Sequence, residues 1–389
     1  MVATPFSCRT NWELSENKIT FTLDKLKEDN IDIINLTESN PTKCNFHYPA
    51  EIVSSLSSKE NLSYSPHSQG NLLARKAVSA YYKTMGLNVD EDAIFLTSST
   101  SEGYCYLFRI LADTGDNVIF PRPSYPLFQF LTDLNDVKMK NYSLAYDKAW
   151  SVDFDSLLEE ISIKTKAVAV VNPNNPTGSF IKECEKSKLN KICKENNLAI
   201  ISDEVFFDFC FDENKKYPSF VENDEVLTFA LGGLSKTLGM PQMKLSWIII
   251  SGPDDLVEEA KARLDVVADT FLSVNTPVQN ACPVWLSKRV EIQQQMLNRI
   301  KCNLTFLEKE LDNSKADLLK TEGGWYVAFK ISDKYKEEDL VLELLKKDHV
   351  FVHPGYFFDF QDEPYVVVSL LPEQENFQKG IGRVINRLS

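Results

Sequence analysis

The sequence predicts an α/β fold, with a large domain built on a mostly parallel sheet flanked by helices and a smaller α+β domain beside it. Two observations predict it. Six short apolar, β-branched runs alternate with amphipathic stretches: AIFLT (93–97), NVIFP (117–121), AVAVVN (167–172), LAIIS (198–202), VLTFAL (226–231) and WIII (247–250). Continuous apolar runs of this kind are strands buried on both faces, as in a parallel sheet covered by helices. The chain has 389 residues, more than one core usually serves, so a second, smaller unit is expected.

Taken in order, the first 45 residues carry one short apolar run, IDIINL (31–36), followed by the turn-forming TESNPT (37–42). This reads as an arm leading into a loop. The pattern LLARKAVSAYYKTMG is helical and stops at Gly86, as glycine stops helices. The strand runs fill 93–250. Beyond 251 the pattern is helical, with a long segment over 290–312. GGWYVAFK (323–330) then reads as a turn into a strand, KEEDLVLELLKK as a helix, VFVHPG as a short strand, PYVVVSLL (364–371) as a strand and 374–388 as a closing helix. The expected division is 1–45 as the arm and part of the small domain, 46–300 as the large domain and 301–389 as the small one.

Composition narrows the partners. A net charge of −14 repels nucleic acid and anionic membrane at long range, so neither is expected as a partner. An anionic small molecule would need local cations. The start, MVATPFSCRTNWELSEN, has no basic-then-apolar pattern, and no run reaches the ~18 apolar residues of a membrane span. A cytoplasmic location is expected. The eight cysteines include no C-x-x-C and have no neighbouring histidines, so neither a metal nor a disulfide framework is indicated.

In open α/β sheets ligands bind beyond the carboxyl ends of the strands, and there this chain is chemically unusual. AIFLT leads into SSTSEG, which puts Ser99 and Thr100 at a helix start, where hydroxyls cap and free N–H groups can hold a phosphate. NVIFP leads into RPSYP, with Tyr125 on a proline-flanked turn. AVAVV leads into NPNNPTG, with Asn175 on a stiff loop. LAIIS ends in Asp203 of SDEVF, an acid that needs a cationic or protonated partner to be buried. The stretch LGGLSKTLGMPQMKLSW (231–247) sets Lys236 beside Ser235, with a second cation, Lys244, eight residues on. A tight, partly buried turn near another cation favours the neutral amine a nucleophilic lysine needs. Tyr64 sits earlier, in the turn-rich NLSYSPHSQG. One ligand accounts for the whole set: the phosphate ester of a pyridine aldehyde. Its ring nitrogen calls for an acid, its ring face for an aromatic, its phenolic oxygen for an amide, its phosphate for N–H groups and cations, and its aldehyde for a lysine.

NPNNPTG, SDEVF and SKTLGMPQMK, in that order, resemble the fold-type-I pyridoxal-phosphate enzymes of the class I/II aminotransferase family. The resemblance runs from TESNPT to the terminal helix, with an alanine or aromatic aminotransferase-like flavour. It implies a pyridoxal 5'-phosphate-dependent aminotransferase exchanging an amino group between an amino acid or amine and a 2-oxo acid. It also implies roles. Lys236 would be the Schiff-base lysine and proton shuttle, Asp203 the partner of the pyridinium, Asn175 the donor to the phenolic oxygen and Tyr125 the stacking ring. Ser99, Thr100, Ser235 and Lys244 would hold the phosphate. Tyr64 would reach the phosphate of a neighbouring subunit, making the protein a homodimer.

Four positions depart from the family's pattern. Phe206 stands three residues after Asp203 where a Tyr is usual, Gly233 stands for a Ser, and Lys244 for an Arg. Val367 aligns with the Arg that clamps the substrate carboxylate. Arg122 and Arg9 are the candidates to replace that Arg, and Trp12, Tyr125, Trp325 and Tyr356 are candidate pocket aromatics. A lyase or decarboxylase on the same fold, and a non-catalytic cofactor-binding protein, are the alternative readings.

Overall fold

A computed structural model describes residues 5–312, 314–361 and 364–388. In chain order the strands are β1 (Ile34–Asn35), β2 (Ile94–Thr97), β3 (Asn117–Arg122), β4 (Lys138–Tyr146), β5 (Trp150–Val152), β6 (Thr165–Val171), β7 (Ala199–Asp203), β8 (Thr228–Gly233), β9 (Ser246–Ser251), β10 (Asp317–Leu318), β11 (Tyr326–Lys330), β12 (Val350–Phe351), β13 (His353–Pro354) and β14 (Tyr365–Ser369). Eight of them form one sheet in the order β2-β9-β8-β7-β6-β3-β4-β5. The pairs β3/β4, β3/β6, β6/β7 and β7/β8 are parallel. β9 is antiparallel to both β2 and β8, and β5 to β4. The WIII run therefore enters the sheet reversed, which an apolar run cannot reveal because its burial is the same in either direction.

Strand alternation distributes the core. Val118 and Phe120 of β3 and Ala167 and Ala169 of β6 face one layer, where Tyr104, Leu107 and Phe108 of the helix Thr100–Leu111 and Leu264 of Asp254–Phe271 pack on them. Ile119, Val168 and Val170 face the opposite layer, with Leu157 and with Leu189, Ile192 and Cys193 of the helix Glu183–Glu195. Period-2 side chains thus feed two helical layers from one strand.

A second sheet, antiparallel and in the order β10-β11-β14-β13, lies in the last 80 or so residues. Val327, Phe329, Val366 and Val368 join the main core, while Ala328 and Val367 point the other way. The closing helix Gln374–Leu388 buries Phe377, Ile381, Val384 and Leu388, a one-sided stripe at helical spacing. β1 pairs with β12 in a separate two-stranded sheet, which ties the N-terminal segment to the C-terminal part of the chain. The helix Arg289–Leu311 runs unbroken through residue 300. Among the described residues, no helix is long and apolar enough to cross a membrane.

Two features were not anticipated. Lys18–Glu28, expected as an arm, is a helix capped by the Asn17 side chain, which accepts from Thr20 N at 2.8 Å. Its KITFT start is rich in β-branched residues, which obscures the helical period, but Ile19 and Thr22, three apart, make the buried face. β4 and β5 also went unread: two lysines and an asparagine interrupt β4, and its partly exposed residues blur the alternation.

Candidate active site

Strand pairing brings the singled-out residues together at one edge. Asp203, the last residue of β7, stands beside Val171 of β6 and Leu231 of β8 in register. Asn172 N donates to Asp203 O at 2.8 Å, Glu204 N to Leu231 O at 2.9 Å and Leu234 N to Leu245 O at 2.9 Å. These bonds continue the sheet past its strands and hold the Asn175 loop, Asp203 and the lysine turn side by side.

Asp203 is 8% exposed. Tyr104 Oη donates to Oδ2 at 3.2 Å and Val205 N to Oδ1 at 3.2 Å. Burial pushes its carboxyl up from 3.8 to about 6, against these two bonds and the Lys236 charge. A cation placed beside such an acid favours its ionised form. Tyr104 was not foreseen. The signal was faint: its position inside the helix that follows SSTSEG turns it onto the sheet end.

Lys236 lies in the short helix Leu234–Thr237 after β8. Its Nζ sits 4.8 Å from the ring centre of Trp325 and 5.3 Å from that of Phe206. Burial lowers its amine from 10.5 to about 8, with the Asp203 charge pulling the other way. The turn is braced from below: Gln293 Nε2 donates to Thr237 O at 2.9 Å, and Tyr48 Oη to Gly239 O. Gly233 has a steric cause. A Cβ there would meet Ser246 Oγ at 2.3 Å, so a hydroxyl from β9 occupies the space a serine at 233 would fill.

Asn175 is buried, with Oδ1 unpaired among the described residues. Its loop is closed by Gly178, at φ +66, whose O accepts from Glu322 N (3.1 Å) and Gly323 N (3.0 Å). The loop is thereby fastened to the segment leading into β11. Tyr125 is 42% exposed, and its ring meets Phe128 edge-on at 6.2 Å. Burial and the Asp203 charge raise its hydroxyl.

At the start of the helix Thr100–Leu111, Ser99 Oγ accepts from Glu102 N at 3.1 Å. The Glu102 carboxylate accepts from Ser98 N and Ser98 Oγ at 2.6 and 2.9 Å. Ser99 is therefore a helix cap, and the first N–H groups of the helix remain for an anion. Ser235 is partly buried beside Lys236, and Lys244 is exposed at φ +52, two residues before β9. Tyr64 is 74% exposed on the surface.

The candidate carboxylate ligands lie at different places in the fold. Val367 is fully buried with Ala328, Phe358 and Phe360 and presents no charge. Arg9 pairs with Asp136 at 3.1 Å, just ahead of β4, and Trp12 donates to Asp133 at 2.9 Å. In the register of β3 and β4 that point lies at the amino end of the sheet, about 17 Å of strand from the carboxyl edge. Arg122 lies at the carboxyl edge itself.

These residues fit pyridoxal phosphate. A buried acid without a full charge partner, a buried asparagine amide, a lysine whose amine is lowered by burial, a free helix start and an available aromatic face are the groups its ring, aldehyde and phosphate require.

The sequence pattern of "Aminotransferase class I and II" matches residues 31–382. The glutamate-pyruvate aminotransferase AlaA of Haemophilus influenzae is 27% identical over 380 residues, 94% of this chain and 93% of its own. The tyrosine aminotransferase of Dictyostelium discoideum is 28% identical over 305 residues, 75% of this chain and 73% of its own. The structure of an alanine aminotransferase from Pyrococcus furiosus superposes with a TM-score of 0.89 at 25% identity, covering 98% of both chains. With this match along nearly its whole length, the chain belongs to the class I and II aminotransferase family, pyridoxal-phosphate enzymes that move an amino group between an amino acid and a 2-oxo acid.

Proposed function

We propose that the cluster at the carboxyl edge of the large sheet is the transfer site, with Lys236, Asp203 and Asn175 as its catalytic residues. The observation that carries this reading is the pairing of two displaced ionisations. Asp203 is held up at about 6 and Lys236 down at about 8 in one pocket, and perturbed pairs of this kind mark acid–base sites. Bound pyridoxal phosphate supplies an aldehyde to capture amines and a protonated ring to withdraw electrons from the substrate α-carbon.

The chain's own residues do the rest. Lys236, neutral in a substantial fraction near pH 8, takes a proton at the substrate α-carbon and returns it. Trp325 and Phe206 wall its amine from water. Asp203, oriented by Tyr104 and Val205, offers its remaining lone pairs to a ring N–H. Asn175, buried on its loop, donates an amide N–H to a phenolic oxygen, without help from position 206, where Phe has no hydroxyl. Tyr125 covers the ring face. Ser99, Thr100, Ser235 and Lys244 hold the phosphate, with helix N–H groups and one exposed ammonium in place of an Arg fork.

The protein works as a homodimer in the cytoplasm, with Tyr64 crossing to the neighbouring site. Its 74% exposure, together with the exposed Leu62, Leu72 and Leu73 nearby, supports this. We divide the chain into 46–300 and a smaller unit of 1–45 with 301–389, a grouping the β1–β12 pairing supports. The relatives named glutamate-pyruvate and alanine aminotransferase make alanine, glutamate and their 2-oxo acids the first substrates to try. The test is exchange between such pairs by purified protein. Turnover that Lys236→Ala abolishes supports the reading, and an unaffected Lys236→Ala variant sinks it.

A further inference from the structure

Amino acids and 2-oxo acids share a carboxylate, and a protein of net charge −14 must meet it with a local cation. On the C-terminal side of the site the candidate position is apolar: Val367 is buried among Ala328 and Phe358. On the other side stands Arg122, the last residue of β3, three residues before Tyr125.

Its segment is fixed in place. Asn174 Nδ2 donates to Pro123 O at 3.2 Å, and Ser124 N donates to Phe358 O at 2.9 Å. Arg122 therefore sits where the Tyr125 turn, the Asn175 loop and the turn Gly355–Phe358 meet. Its guanidinium is under-used. Nε is buried and has no partner among the described residues, and Nη1 lies 3.7 Å from Asp359 Oδ2, beyond hydrogen-bond range. A guanidinium presents five donors in a fork suited to two carboxylate oxygens.

We propose that Arg122 binds the substrate carboxylate, Nε and one terminal nitrogen each donating to one oxygen. Asp359 is the exposed counter-charge that the substrate supplants. The proposal rests on the amino-transfer reading and adds the residue that lets the site prefer acids over amines.

The test uses the holoenzyme and two kinds of substrate. Arg122→Gln lowers kcat/KM for amino acids and 2-oxo acids about 10- to 100-fold, chiefly through KM. The half-reaction with the matching decarboxylated amine is unchanged. Arg122→Lys recovers part of the loss, because charge survives and the fork does not. Asp359→Asn lowers KM for acids alone. Equal losses on acid and amine mean that Arg122 only supports the fold, and loss on neither means that another group binds the carboxylate; either overturns the proposal.

Calorimetric titration with propionate, which has a carboxylate and no reacting group, separates this from the transfer reading. Wild type binds it and Arg122→Gln does not, whatever the turnover. Equal binding to both proteins, or binding to neither, overturns the assignment. Failure to exchange any amino acid would instead overturn the transfer reading and leave the propionate titration to decide Arg122.

Discussion

Lys236 in the cofactor-free protein should react with an acylating reagent far faster than an ordinary lysine at neutral pH. Burial between Trp325 and Phe206 lowers its amine from 10.5 to about 8. At pH 8 about half of Lys236 is then neutral, against roughly 0.3% of a free lysine, a gain of order 150-fold in reactive amine. Competitive labelling across pH, read peptide by peptide by mass spectrometry, gives the midpoint directly. It should fall near 8, and Asp203→Asn should move it lower, because the Asp203 charge is what holds it up. The same displacement acts on stability. Folding opposes protonation of Lys236, so the penalty is present in full below about pH 8 and fades as pH rises to 10.5. Its ceiling is about 3 kcal/mol, reduced because the side chain is only partly buried. Lys236→Met should therefore melt higher than wild type at pH 7 and no differently near pH 11. A labelling midpoint at 10 or above, or an upward shift in Asp203→Asn, would refute the reasoning.

Other outcomes follow from single contacts. Gly233→Ser should destabilise by about 1–3 kcal/mol in chemical denaturation, since its Cβ would overlap Ser246 Oγ; Gly233→Ser with Ser246→Gly should recover most of the loss. Gly178→Ala, at φ +66 with a Cβ 2.3 Å from Gly323 O, should free the Asn175 loop and weaken cofactor retention, measured by dialysis and absorbance. Phe206→Tyr adds a hydroxyl and should tighten the cofactor by about 0.5–1.5 kcal/mol in fluorescence titration. If Tyr64 acts across a dimer, a mixture of Tyr64→Ala and Lys236→Ala subunits should regain activity that neither parent shows, because one mixed site in each heterodimer is intact.

Most of the architecture could be read because burial on both strand faces leaves an unbroken apolar run, as in AVAVVN. What escaped was of two kinds. Direction is invisible to composition, so β9 looked parallel while pairing antiparallel with β2 and β8. Elements whose local chemistry opposes their state were missed, as with the β-branched start of the helix Lys18–Glu28. At the site, the strand-end residues Asp203, Asn175, Tyr125 and Lys236 were legible because each is costly or odd where it stands. Tyr104 was not, because a tyrosine on a helix face signals nothing until the strand end it touches is known. Nor could spacing choose between Arg9 and Arg122, since only the register of β3 and β4 sets the first at the far end of the sheet.

Borohydride reduction followed by peptide mapping asks whether Lys236 carries the cofactor. One phosphopyridoxyl label per chain is expected, on Lys236, lost when an amino-acid donor is added before the reductant. A label on another lysine, or one on Lys236 that no donor removes, would contradict it.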